Sequence, residues 1–136
     1  MAKIVFTSMV GDMVHIGHLR LLEKAAKLGT VIVGIPTSDS NEIFKGKPTV
    51  ISLEGRLRMI QALKPVHLCL GYHSKEELEN LIRLIRPNIV CRGDDQKDFV
   101  GKSAAEEVGA KIIYFPYSQD ISSTMIKDQI AKLIRD

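Results

Sequence analysis

Short apolar runs alternate with amphipathic stretches along the whole chain. Lys3 to Ser8 reads as a short buried strand, and Val31-Ile32-Val33-Gly34-Ile35 is unbroken and β-branched, as in a parallel strand covered on both faces. Val66 to Leu70, Ile89-Val90-Cys91 and Lys111 to Phe115 complete a set of five strands. Between the first two, Gly17 to Leu28 places Leu19, Leu22, Ala25, Ala26 and Leu28 at helical spacing, and Gly29 stands where such a helix stops. Ser52 caps a predicted helix through Arg56, Met59, Ile60 and Leu63 that Pro65 ends. Ser74 with Glu77 is a capping-box pair opening a helix with Leu78, Leu81, Ile82 and Ile85 inward and Pro87 after it. A short helix from Lys102 to Val108 ends at Gly109, and a last one, capped by Ser122 or Ser123, carries Ile126, Ile130, Leu133 and Ile134. Asn41 to Ile51 has no period and contains Gly46 and Pro48, so it is expected to be a loop.

Strand and helix thus alternate about five times with no repeat and no linker. The expected architecture is α/β: a single domain over residues 1–136 with a Rossmann-like, doubly wound, five-stranded parallel sheet and helices on both faces. Ligands of such sheets sit at the carboxyl ends of the strands, where strand order reverses. The loops at that edge carry His15 and His18, Asp39, Arg92 to Asp95, and Ser118 to Thr124.

Composition narrows the field without choosing within it. The 136 residues are 45% hydrophobic and 26% charged, a globular balance, and a formal charge of +3 is too mild to argue for nucleic acid. No run is long enough to cross a bilayer and the apolar start is too short for a signal peptide, so a cytoplasmic location with no membrane partner is expected. Cys69 and Cys91 fall in strand-like runs and read as buried thiols rather than metal ligands.

The chemistry gathers at Val14-His15-Ile16-Gly17-His18, where the first strand hands over to the first helix. A helix start presents unpaired N–H groups and a partial positive charge, which suits an anion. Two imidazoles added there supply donors for charge building on phosphorus. The alternative for such a pair is one structural and one surface histidine.

Asp12-x-x-His15-Ile16-Gly17-His18 resembles the signature of the nucleotidyltransferase superfamily, and Ile121-Ser122-Ser123-Thr124-Met125-Ile126-Lys127 resembles the stretch opening the last helix of cytidylyltransferases. Gly93-Asp94-Asp95 is similar to the Gly-Asp-Asp loop of glycerol-3-phosphate cytidylyltransferases. The resemblance implies that an acceptor phosphate attacks the α-phosphorus of a nucleoside triphosphate, with CTP expected ahead of ATP. It places His15 and His18, with Lys47 and Arg56, in the catalytic set. Lys45 joins Lys47 in a phosphate-facing loop, while Ser122, Ser123 and Thr124, beside Ile121, grip the outer phosphates. Ser8, Met9, Val10, Asp12 and Gly17 line the nucleotide's path, and Arg92, Gly93, Asp94 and Asp95 read base or ribose. Asp39, Lys64 and Tyr117 fall to the acceptor, a small phosphorylated or phosphonylated alcohol. Magnesium accompanies the triphosphate without a protein metal cage, and a homodimer is expected. Taken without the resemblance, Lys45 and Lys47 are a solvated basic loop, Arg56 a surface ion pair, Ser122 to Thr124 helix caps worth about 1 kcal/mol, and Asp94-Asp95 a plain turn.

The chain departs from the family at four sites. Met9-Val10 stands for Gly-Thr, Tyr117 for an arginine, Gln96 for a tryptophan, and Lys64 for an arginine that often precedes the third strand. Two other readings therefore stay open: an ATP-using adenylyltransferase, since Lys45-Gly46-Lys47-Pro48 also resembles archaeal FAD synthetases, and a non-catalytic nucleotide-binding module. An aminoacyl-tRNA synthetase fragment is set aside because the chain lacks a Lys-Met-Ser-Lys-Ser loop.

Overall fold

Period-two alternation in the first strand fixes where the core lies. Val5 and Phe6 are both fully buried but point to opposite faces, as successive strand residues must. A computed structural model describes residues 2–38, 48–94, 98–116 and 120–135. In it β1 (Ile4–Ser8), β2 (Thr30–Pro36), β3 (Val66–Tyr72), β4 (Ile89–Gly93) and β5 (Lys111–Phe115) form one sheet in the order β3-β2-β1-β4-β5. Every pairing is parallel; Val5 lies opposite Val31 on one side and Ile89 on the other. The order reverses between β1 and β4, which puts the switch point beside the histidine turn.

Helices α1 (Ile16–Ala26), α2 (Leu53–Gln61), α3 (Lys75–Ile85), α4 (Lys102–Glu107) and α5 (Ser123–Arg135) follow the strands in turn. Val5 joins Leu22, Ala25, Val33, Ile35 and Ile60 in a core beneath α1 and α2. Phe6 joins Leu78, Ile82, Val90, Ala104 and Ala105 beneath α3 and α4. The expected doubly wound sheet is therefore the observed one. Ser52 and Ser74 cap their helices, their hydroxyls accepting from Gly55 and Glu77 N–H at 3.1 Å each. Arg86 ends α3 in the left-handed conformation (φ 50°), just before Pro87. Cys69 and Cys91 are buried free thiols, and burial pushes them up to about 11 and about 12, so both stay protonated and unreactive near neutrality.

Differences from the sequence expectation have local causes. Arg92 and Gly93 belong to β4 rather than to a loop, because they pair with Tyr114 and Phe115. Likewise β3 extends to Tyr72 by pairing with Pro36. The larger difference is α5: it has no buried residue, and Ile130, Leu133 and Ile134 are 44%, 76% and 79% exposed. Its apolar stripe is real, but among the described residues only the end near Ile126 is partly covered.

Candidate active site

The turn from β1 into α1 sets the site. Met9 N–H still bonds to Gly34 O at 3.0 Å, after which Gly11 and Met13 take positive φ (68° and 64°). A Cβ on Gly11 would stand 2.5 Å from the Cδ1 end of the buried Ile60, so the left-handed backbone and the close packing both favour glycine.

Histidine then caps α1 in place of serine or aspartate. His15 Nδ1 accepts from Gly17 N–H at 3.0 Å, and His18 Nδ1 accepts from His15 N–H at 3.1 Å. The rings lie 4.0 Å apart, tilted by 42°. An imidazole that accepts through Nδ1 carries its proton on Nε2, so each ring keeps an Nε2–H donor. Burial, then the neighbouring His15, hold His18 down to about 4, and burial lowers His15 as well despite Asp120. At neutral pH the pair is two uncharged donors.

A cavity of about 600 Å³ opens over this turn, at the carboxyl edge of the sheet. It brings together Ser8, Met9, Val10, His15, Gly17 and His18 with Arg92 and Gly93 from β4 and Ile121, Ser122 and Ser123 from the start of α5. Ser8 Oγ and carbonyl accept from Arg92 Nη1 at 2.6 and 2.7 Å, and the guanidinium lies 4.9 Å from the Phe99 ring. Ser122 is the α5 cap, its hydroxyl accepting from Met125 N–H at 3.1 Å. The cavity also draws on Arg20, Lys24, Tyr72, Asp98 and Phe99, which sequence reasoning missed. Arg20 and Lys24 had a usable signal, being four apart on the helix that starts at the histidines; Tyr72 and Phe99 had none.

Three expected site residues serve elsewhere. Arg56 is fully buried, and four of its five N–H donors go to Ile51 O, Val10 O, Pro36 O and Ser38 Oγ at 2.8–3.0 Å. It clips together the chain just past β1, the end of β2 and the lead-in to α2, and is not part of the cavity lining. Asp12 is 4% exposed, and its carboxylate accepts from Val50 N–H, Ile51 N–H and Lys127 Nζ at 3.0, 3.0 and 2.7 Å. Those bonds outweigh burial and lower its pKa, so it stays ionised, but it is not part of the cavity wall. Lys64 precedes β3, and in an all-parallel sheet that puts it at the amino edge, opposite the cavity.

Thr124 is exposed beside the cavity, outside its lining, and Asp94 N–H continues the β4–β5 pairing by bonding to Phe115 O at 2.8 Å. Asp39, Lys45, Lys47, Asp95 and Tyr117 lie outside the described residues. Among the described residues no three His, Cys, Asp or Glu side chains are grouped to hold a metal, and no helix is long and apolar enough to cross a membrane.

The model of the cytidylyltransferase-like family matches residues 11–129, which takes in the histidine turn and the start of α5. The chain belongs to that family. This cytidylyltransferase-like chain sits within the nucleotidyltransferase superfamily that its histidine motif resembles. It is 34% identical over 132 residues to the bifunctional protein HldE of Desulfatibacillum aliphaticivorans, covering 94% of the chain but 27% of that relative. With HldE of Helicobacter hepaticus it shares 40% over 111 residues, covering 79% of the chain and 23% of the relative. The chain thus spans about a quarter of the length of these HldE proteins. FAD synthase of Thermoplasma acidophilum is 29% identical over 136 residues, covering 96% of the chain and 95% of the relative. Among solved structures, a lipopolysaccharide core biosynthesis protein of Thermoplasma volcanium superposes with a TM-score of 0.74 at 24% identity, covering 88% of the chain and all of that protein. That last likeness speaks for the fold alone.

Proposed function

We propose that the protein transfers a nucleoside monophosphate from a nucleoside triphosphate to a small phosphorylated acceptor. An acceptor phosphate oxygen attacks the α-phosphorus, a new P–O–P link forms, and the bond to the β-phosphate breaks to release pyrophosphate. No proton or covalent enzyme intermediate is needed, so catalysis reduces to positioning and charge stabilisation. The observation that carries this reading is the self-capped histidine pair, two neutral Nε2–H donors set at a helix start across the cavity from Ser122 and Ser123. Donors preorganised in this way stabilise charge that builds on the equatorial oxygens in the transition state.

ATP is the proposed nucleotide, ahead of the CTP that the Gly-Asp-Asp resemblance implied. Support comes from the FAD synthase relative, which matches along nearly its whole length and whose named product contains an adenylyl group. The acceptor is a phosphorylated alcohol, sugar or comparable small molecule. Magnesium is proposed to arrive on the triphosphate, since the described residues offer it no cage, and no step is assigned to it. A cytoplasmic homodimer completes the reading, supported by the exposed apolar stripe of α5. Lys45 and Lys47 keep their proposed phosphate role on the resemblance.

The test is pyrophosphate release with ATP and with CTP across a panel of phosphorylated acceptors. ATP-dependent release that falls by about two to three orders of magnitude in His18→Ala is the expected result. Nucleotide binding without turnover, unchanged in that variant, would instead favour a binding module, for which Met9-Val10 in place of Gly-Thr is the motivating feature.

A further inference from the structure

The two walls of the cavity come from distant parts of the chain, and one carboxylate joins them. Asp12 sits in the turn that carries the histidines, and its buried oxygens reach two other segments. Toward the segment before α2 it accepts two consecutive backbone donors, Val50 N–H and Ile51 N–H, at 3.0 Å each. Toward α5 it accepts from Lys127 Nζ at 2.7 Å, and the Asp12 carbonyl accepts from Ser123 Oγ at 2.6 Å. Ser123 is the first residue of α5 and lines the cavity; Lys127 is four residues on, one helical turn further.

This attachment matters because α5 has little else to hold it. None of its side chains is fully buried, and in its first turn only Ser123 and Ile126 are half-buried, so packing holds that turn weakly. A second side-chain link near its start, Arg20 to Asp120 at 3.0 Å, joins groups that are 44% and 61% exposed and contributes little in water. The Lys127–Asp12 pair differs: the carboxylate is 5% exposed while the ammonium, at 40%, remains wet. Removing the ammonium leaves a buried charge with two amide donors and one fewer link to the helix.

We propose that Asp12 and Lys127 are positioning residues. Their ion pair, with the Ser123 bond, holds the start of α5 against the histidine turn, so that both walls meet the nucleotide's phosphates in one fixed arrangement. The proposal rests on the nucleotidyltransfer reading above. It assigns Asp12 to organising the site rather than to touching the nucleotide, and brings in Lys127.

Lys127→Met tests it, because the methionine keeps most of the stem at a position already partly in solvent. Lys127→Arg restores a cation, and Ser74→Ala, which removes the α3 cap far from α5, controls for stability loss alone. Amide hydrogen exchange should rise selectively over residues 120–126 and 11–18 in Lys127→Met. The KM for ATP should rise about tenfold with kcat within about twofold, the signature of lost ground-state positioning. Lys127→Arg should recover most of that loss, and Ser74→Ala should leave KM unchanged. Unchanged exchange at the start of α5, a KM within twofold of wild type, or an equal KM rise in Ser74→Ala would each overturn the proposal. Wild-type protein that neither binds nor turns over ATP or CTP would instead overturn the functional reading, and with it the positioning role of Asp12 and Lys127.

Discussion

His15 and His18 each do two things, and the two can be separated. Nδ1 is spent on the backbone, while Nε2–H is left for a ligand. Asparagine places an acceptor where Nδ1 sits but offers no donor at the Nε2 position. His18→Asn is therefore expected to melt close to wild type, losing at most about 1 kcal/mol, while turnover falls by about a hundredfold or more. Equal losses of stability and turnover would show the ring to be a cap only. Protonation gives a second test. The folded-state pKa of His18 lies near 4, below the ordinary 6.5, so the unfolded chain binds the proton first as pH drops. The stability that its neutral form contributes is complete above about pH 6.5 and is lost as pH falls toward 4. Denaturant unfolding at pH 7, 5.5 and 4.5 should show this decline in wild type and a smaller one in His18→Asn. A reading from sequence alone found both histidines and the helix start they occupy, since residue type and spacing carry that much. It could not see that Arg56 and Asp12 turn inward, because which backbone carbonyls and amides surround a side chain is decided by segments far away in sequence.

Elements were the most legible level, and the exceptions explain themselves. Apolar runs, helical periodicity and serine caps marked all five strands and all five of the described helices, with ends shifted by a residue or two. Arg92 and Gly93 look like loop by composition, yet the ladder to β5 holds them in strand. Helix α5 was legible as a helix but not as one whose stripe is left largely exposed, because a periodic stripe states that a face is apolar and not what meets it. The turn between β1 and α1 makes the sharpest prediction at this scale. Gly11→Ala combines a positive φ with a 2.5 Å approach to Ile60 Cδ1 and should cost about 1–3 kcal/mol. The histidine pair should shift with it, so turnover should fall further than a comparably destabilising Ser52→Ala. Thermal melts paired with kinetics on the two variants check this.

At the scale of the whole molecule, the sheet order brings the loops after β1 and β4 to one mouth, as the alternation of strands and helices implied. The order itself was not readable, since pairing partners leave no local mark. The homodimer proposed above would have to cover Leu133 and Ile134 if α5 forms its interface. Leu133→Glu should then shift the sedimentation coefficient from dimer toward monomer, and an unaltered coefficient would remove α5 from the interface.

Arg56 has a consequence for anyone scanning this molecule by mutagenesis. One guanidinium fastens the chain just past β1, the end of β2 and the lead-in to α2. A lysine there keeps the charge yet cannot span those carbonyls, leaving desolvated oxygens behind. Arg56→Lys should therefore score as dead in an activity screen, and the error would be to blame the chemistry, when the keystone has been pulled and the arch above the ligand has sagged.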